Sequence, residues 1–192
     1  MSVREQQREK RRQEILVAGL DLFIRKGYAS TKISDIAKQV GMSVGLLFHY
    51  FESKEALYKE LITLGVSEPM KIVDDNNGEP IVFFENVAKQ ILQYLREATY
   101  TAKMFVLMKQ AFQSEAAPSS VKELLAGFDV YTPTAVMIER GQANGTIRDG
   151  DSYALAIAFW CAIQGVAEQI ALNPDTPCPE SDWIVDIIRR KS

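Results

Sequence analysis

The chain contains few of the residues that most catalytic and metal sites require. Its 192 residues include one histidine and two cysteines. Cys161 lies inside the longest apolar run and Cys178 in a proline-rich segment, so the pair fits neither a disulfide framework nor a zinc site. No serine or cysteine stands in a recognisable nucleophile motif. We therefore expect no metal, no cofactor and no enzymatic activity.

Long hydrophobic runs are also absent. The longest uninterrupted apolar run covers residues 153–163, whereas a membrane-spanning helix needs about 20 residues. We interpret this run as the core helix of a soluble protein. No basic segment precedes an apolar one at the N-terminus, so we expect no signal peptide and a reducing cytoplasm as the location.

Alternating, strand-like patterns are scarce, and the apolar residues recur at helical spacing. The fold class predicted is all-α, with a three-helix domain at residues 1–52 and a larger helical domain at 53–192. Residues 67–79 are polar and predict a connection between the two, and Pro133 predicts a kink. Ser120 and Glu123 predict a capping box. The expected helices are 4–26, 32–40, 43–50, 53–66 (which links the domains), 80–98, 101–114, 120–141, 151–173 and 181–190.

Charge is distributed unevenly between the two parts. The whole chain has a net charge of -3, which alone argues against a nucleic-acid partner. Residues 1–60, however, hold 11 Lys/Arg against 8 Asp/Glu, and residues 61–192 hold 11 against 17. The positive field therefore lies on the N-terminal segment.

The segment of residues 31–54, TKISDIAKQVGMSVGLLFHYFESK, is the most informative part of the chain. It predicts two short helices joined at Gly41, where a residue without Cβ adopts a positive φ most easily. Ser43 is a good N-cap for the second helix, with Val40 and Leu47 as its apolar anchors. This is the layout of a helix-turn-helix that places its second helix in the major groove of DNA.

Residues 15–57 combine IL-x-A-x-x-x-LF-x-x-x-GY with DIA-x-x-x-G-x-S-x-G-x-L-x-x-YF-x-SKE-x-L. This pattern resembles the N-terminal domain of TetR-family transcriptional regulators. The resemblance implies an all-helical homodimer that binds a palindromic operator in double-stranded DNA. It also implies a C-terminal domain that binds a small-molecule effector and dimerises through its last two long helices. The DNA-facing residues that it implies are Lys32, Ser34, Ser43, Val44, Gly45, Leu46, Phe48, His49, Tyr50 and Lys54.

Two residues depart from the usual family pattern. Gly19 stands where alanine is usual, which should cost the first helix about 0.5–1 kcal/mol. Phe48 stands where tyrosine is usual and lacks a hydroxyl for a phosphate or a base. Val44, Gly45 and Leu46 also offer no side-chain hydrogen bonds, so base readout is expected to depend on thymine methyl groups and DNA shape.

The second domain carries two weaker patterns, and plain core packing explains either of them equally simply. Small residues along one helix and apolar residues in the last helix predict a four-helix dimer interface: Ala154, Ala158, Cys161, Ala162, Gly165, Trp183, Ile184, Ile187 and Ile188. Aromatic residues and methionines predict a pocket for an apolar or aromatic ligand: Tyr94, Met104, Met108, Phe112, Phe128, Tyr131, Trp160 and Gln164.

Two regulatory functions follow from these patterns. The first is a repressor that a small ligand releases from its operator, because the ligand binds the DNA-incompetent state better. The alternative is a DNA-binding regulator whose C-terminal domain binds a protein partner. An enclosed apolar cavity would favour the first, and an exposed apolar patch over a filled core would favour the second.

Overall fold

The computed structural model describes residues 2–74 and 78–191, with the side chains of residues 68–74 left aside. Its helices are α1 Val3–Ser30, α2 Ile33–Gln39, α3 Val44–Phe48, α4 Lys54–Asp74, α5 Pro80–Glu97, α6 Thr99–Gln113, α7 Ser119–Ala126, α8 Tyr131–Ala143, α9 Ser152–Leu172 and α10 Ser181–Val185. The predicted all-α class is confirmed. The only extended pairing among the described residues is an isolated bridge between Ile147 and Arg189.

The chain forms two compact units, and each unit is made of two separate stretches of the sequence. The first contains residues 1–66 and 106–127, and the second contains residues 67–105 and 128–192. The predicted boundary at residue 52 therefore differs from the observed division. The C-terminal half of α6 and all of α7 belong to the same unit as the helix-turn-helix.

The first unit is built around a small core between α1 and α4. Its fully buried members include Ile15, Leu16, Leu20, Ile36, Leu47, Leu57, Leu61 and Ile62. A Cβ added at Gly19 would lie 2.5 Å from Leu57 Cδ2, so alanine at this position would require the end of the Leu57 side chain to shift. The departure from the family pattern thus lies at a close contact between α1 and α4.

The second unit encloses a larger core in which α5, α8, α9 and α10 pack together. Phe84 and Phe159 meet edge to face with ring centroids 5.0 Å apart. The indole N–H of Trp160 donates to Thr134 Oγ1 at 3.1 Å, so the polar atom of this buried ring is satisfied. Aromatic packing with paired polar atoms thus holds α5, α8 and α9 together.

By length and composition, α9 is apolar enough to cross a membrane. Its inner face, however, belongs to the core of the second unit, where Phe159, Ile163 and Ala167 are fully buried. Asp151 caps its first turn, accepting the Ala154 N–H at 2.7 Å. We interpret α9 as a core helix, which does not indicate a membrane protein.

Two predicted elements were wrong. The connection expected at residues 67–79 is helical as far as Asp74, and residues 75–77 lie outside the described residues. The single helix expected from 120 to 141 is two helices, α7 and α8, separated by residues 127–130.

The predicted Ser120–Glu123 capping box is absent, because α7 begins one residue earlier and has no side-chain cap. The Ser120 hydroxyl instead donates to Glu55 Oε1 at 2.6 Å. Asp129 starts the following helix, since its Oδ1 accepts the N–H groups of Tyr131 and Thr132 at 2.9 and 3.0 Å. Pro133 therefore falls in the first turn of α8, where a missing N–H costs little.

Candidate nucleic-acid interface

Residues 31–54 form the helix-turn-helix that the sequence predicts. Gly41 has φ 66° at the turn after α2, and the Met42 N–H closes the turn on the Ala37 carbonyl at 2.9 Å. Ser43 caps α3, accepting the Leu46 N–H at 3.2 Å. The local chemistry expected at the turn and cap is therefore confirmed.

The recognition helix α3 is shorter than predicted and ends at Phe48, with His49 as its C-cap. The N–H groups of Tyr50 and Phe51 still bond the Leu47 carbonyl, so the chain continues as a turn. Leu47 is fully buried and anchors the helix, whereas Val40 is only partly buried.

The side chains on the outer face of α3 are apolar and accessible to solvent. Leu46 is 46% exposed and Phe48 is 45% exposed, although Leu47 between them is buried in the core. The predicted DNA-facing residues divide into an exposed set, Lys32, Ser34, Ser43, Gly45, Leu46, Phe48 and His49, and a half-buried set, Val44, Tyr50 and Lys54. All ten lie in the first unit. Their contact with DNA stays a prediction.

Polar contacts fix the corner where α1 passes into α2. The buried Thr31 hydroxyl lies 2.8 Å from the Gly27 carbonyl oxygen and 3.2 Å from that of Leu22. Lys26 Nζ lies 2.8 Å from Asp35 Oδ2, and this hydrogen bond lowers the pKa of the Asp35 carboxyl. The helix-turn-helix is therefore tied to the end of α1 on both sides of the corner.

Lys54 has a structural role that sequence reasoning missed. Its ammonium donates to the carbonyls of Tyr28 at 2.8 Å, Thr31 at 2.9 Å and Ala29 at 3.4 Å, and lies 4.3 Å from the Tyr28 ring centroid. Three acceptors match its three donors. Partial burial lowers the pKa of Lys54. A phosphate contact by Lys54 remains a prediction, and it would require one of these bonds to be exchanged.

No local pattern could have shown the role of Lys54, because its partners lie more than 20 residues earlier in the chain. The same corner holds an aromatic cluster. The rings of Phe23 and Tyr28 lie 4.8 and 4.7 Å from that of Tyr58, centroid to centroid. Burial raises the pKa of Tyr58 to about 12, so its hydroxyl stays neutral.

The structure divides the predicted ligand-pocket residues between the two units. Met108 and Phe112 belong to the first unit, and the other six belong to the second. Tyr94 is 53% exposed and Phe112 is 51% exposed, so neither lines an enclosed space within its own unit. Trp160 and Met104 are buried, and Phe128 and Tyr131 pack partly buried against the core. The amide nitrogen of Gln164 donates to the Phe105 carbonyl and to Glu168.

The predicted dimer residues also divide into two groups. Ala154, Ala158, Cys161 and Gly165 lie exposed on one face of α9, and Trp183 is 66% exposed. Ile184 and Ile188, by contrast, are buried in the core of their own protomer, and Ala162 and Ile187 pack partly buried against it. Helical periodicity identified the apolar faces of α9 and α10, but it did not identify which face covers the core. The prediction that Ile184 and Ile188 face a partner was wrong.

We expect Lys54→Met to lower the free energy of unfolding by about 1–2 kcal/mol, because a charged donor to three carbonyls is lost at a half-buried site. Chemical denaturation measures this change. Lys59→Met on the exposed side of the same helix is the matched control, with an expected change within about 0.5 kcal/mol.

The salt dependence of DNA binding separates the two roles of Lys54. Loss of a phosphate contact makes the slope of log K against log [salt] shallower by about one per protomer. A lower stability with an unchanged slope would leave Lys54 as a structural residue only. An unchanged stability would contradict its role as a cap on α1.

Comparisons with known proteins agree with this geometry. Residues 15–61 match the family described as bacterial regulatory proteins, tetR family. The HTH-type transcriptional regulator YfiR of Bacillus subtilis is 31% identical over 97 residues, which are 50% of this chain and 45% of that protein. RutR of Escherichia coli O157:H7 is 24% identical over 163 residues, which are 82% of this chain and 74% of RutR. The chain thus spans about half the length of the first relative and about three quarters of the second.

A solved structure has the same fold along nearly the whole chain. It is a TetR-family transcriptional regulator from Agrobacterium tumefaciens, with a TM-score of 0.71 and 20% identity, covering 95% of this chain and 100% of that one. Members of this family are DNA-binding transcription factors and not enzymes, in agreement with the expectation from the sequence. Residues 15–61 therefore form a DNA-binding domain of the TetR family, and the chain as a whole has the helical fold of a TetR-family transcriptional regulator.

Proposed function

We propose that this protein is a homodimeric, cytoplasmic repressor that binds a palindromic operator through α3 and leaves it when a small apolar or aromatic ligand binds the second unit. The observation that carries the DNA-binding part is the exposure of Leu46 and Phe48 on a helix anchored by Leu47. Large apolar side chains that are exposed on a surface helix are costly in water unless a partner covers them. Thymine methyl groups in the major groove are partners of matching chemistry.

Polar residues around α3 supply the backbone contacts that orient it. Ser43 accepts an N–H with its oxygen, which leaves its hydroxyl proton free to donate to a phosphate. Lys32 and Ser34 lie exposed at the start of α2, where they would contact the backbone across the groove. His49 and Tyr50 follow directly after α3 and complete the proposed contact set. Val44 and Gly45 lie at its start, where recognition helices approach the bases.

The exposed face of α9 supports a homodimer. Ile157, Cys161, Gly165 and Leu172 recur at helical spacing and form an apolar stripe, while the opposite face fills the core. Apart from the backbone of α9 itself, no atom lies within 4 Å of the point where a Cβ at Gly165 would be. A partner helix could therefore approach closely there. One five-residue recognition helix offers too few contacts for selective binding, and a two-fold dimer doubles them.

Partly buried aromatic residues of the second unit support a ligand site there. Phe128 and Tyr131 are only partly buried against the core that contains Trp160, so this wall of the second unit has apolar surface that is not fully covered. The alternative is that the second unit binds a protein partner, and the exposed Tyr94 and Val136 favour that function. A small ligand and a protein partner would therefore contact different residues of the second unit.

We expect Leu46→Ala to change base preference more than general affinity. Loss of a methyl contact should lower affinity for the preferred site by about tenfold and leave non-specific binding almost unchanged. The preferred site is first selected by the native protein from a random-sequence library, and affinities are then measured by fluorescence anisotropy. Val17→Ala, which removes another exposed apolar side chain of the same unit, is the control. An equal loss on all sequences would show that Leu46 does not read bases.

Gly165→Glu should convert the dimer to a monomer, because two carboxylates would meet at the small-residue stripe of α9. Sedimentation velocity gives the oligomeric state. Gln90→Glu on the exposed side of α5 adds the same charge away from the stripe and should leave the dimer intact. A Gly165→Glu protein that stays dimeric would place the interface elsewhere.

Trp160 can report on the proposed ligand site, since the chain has only two tryptophans. In Trp183→Phe, a panel of apolar aromatic compounds is titrated into the protein–DNA complex. We expect a compound that releases the DNA also to change the emission of Trp160. Release without that change would move the ligand site away from Trp160, and no release by any compound would favour the protein-partner alternative.

A further inference from the structure

The N-terminal part of α1 forms a helical arm that the core of the first unit does not explain. Residues 3–11 are exposed, and the first buried residue of the helix is Ile15. The arm is nevertheless built to be helical. Ser2 and Glu5 form a complete capping box, and Arg11 pairs with Glu14 at 2.6 Å. A stable helix that buries no apolar surface of its own is suited to contact a polar partner.

The arm leaves the unit in a fixed direction. Arg12 makes a two-pronged ion pair with Glu60 on α4, and its guanidinium lies 4.8 Å from the Phe51 ring centroid. Phe51 is buried directly after the turn that ends the recognition segment. Arg12 therefore joins the base of the arm both to α4 and to the chain that follows α3.

An open groove of about 390 Å³ lies between the arm and this chain. Its walls are Glu5, Arg8, Glu9 and Arg12 on one face of α1, and Tyr50 on the other side. Tyr50 comes two residues after the end of α3 and belongs to the proposed DNA contacts. The groove face of the arm, which carries two arginines and two glutamates, thus begins beside Tyr50 and the proposed DNA contacts of α3.

The arginines of the arm differ in whether a glutamate already pairs with them. Arg11 and Arg12 are paired with Glu14 and Glu60. Within the described part of the chain, Arg4 and Arg8 make no hydrogen bond or ion pair. They are spaced four residues apart and so are neighbours on the helix surface, and Arg8 lines the groove. The acidic neighbour Glu5 is engaged by the Ser2 N–H at 2.7 Å, and Glu9 accepts from Gln13.

We propose that this arm is a second DNA contact, in which Arg8 and Arg4 bind backbone phosphates that flank the base pairs read by α3. The proposal rests on the DNA-binding function proposed above. An arm that reaches from Val3 to Arg12 is about 15 Å long, which corresponds to the rise of about four base pairs. Such contacts add affinity and fix orientation without reading sequence.

The test compares Arg8→Gln with the matched control Arg11→Gln, whose guanidinium is already paired. The probe is the duplex that the native full-length protein selects from a random library, extended by ten base pairs on each side. We expect Arg8→Gln to lower affinity about fivefold and to make the salt slope shallower by about one per protomer, with base preference unchanged. Arg4→Gln/Arg8→Gln should enlarge both effects. Arg11→Gln should leave both at the native value.

Probe length adds a second readout. On a duplex that ends at the selected site, the flanking phosphates are absent, and native protein and Arg8→Gln should bind alike. Equal losses for Arg8→Gln and Arg11→Gln, or a loss that does not depend on flank length, would overturn the proposal. Failure of the DNA-binding function itself is distinguishable, since the native protein would then select no sequence. Circular dichroism of each variant confirms that the arm stays helical.

Discussion

Burial of the Leu47 side chain holds the recognition helix α3 in place, with Leu46 and Phe48 exposed on it. A helix of five residues is far too short to be stable by its own hydrogen bonds, because helix nucleation is unfavourable and few bonds follow it. The cap from Ser43 and the positive φ of Gly41 set where α3 begins, and Leu47 fixes its rotation in the core. Leu46 and Phe48 point outward as a result of that one anchor.

The junction between α1 and α2 is held by polar contacts in addition to the aromatic cluster of Phe23, Tyr28 and Tyr58. Lys54, Thr31 and the Lys26–Asp35 pair all act on the end of α1 or on its junction with α2. Exposed ion pairs contribute little each, whereas hydrogen bonds to otherwise unpaired helix carbonyls are expensive to lose. The orientation of the helix-turn-helix therefore depends on capping the last turn of α1 more than on charge pairing.

Local chemistry was largely readable from the sequence. The turn at Gly41, the cap at Ser43 and the anchor at Leu47 each depend on residues within a few positions, and the structure confirms each of them. The break before α8 is not evident from the sequence, because the capping pattern of Ser120 and Glu123 indicates one long helix. In the structure, the Asp129 carboxylate accepts the first N–H groups of α8. The role of Lys54 and the burial of Ile184 depend on residues far along the chain, so no sequence pattern carried them.

The apolar face of α3 also has a thermodynamic consequence. If Leu46 and Phe48 are covered on the operator, association removes apolar surface from water and carries a negative heat-capacity change. The enthalpy of binding then becomes more favourable as temperature rises, while phosphate contacts give the salt dependence. The free energy of DNA binding would then depend on temperature through the recognition helix and on ionic strength through the flanking cations. Temperature and ionic strength would thus act on separate parts of the proposed DNA-binding surface.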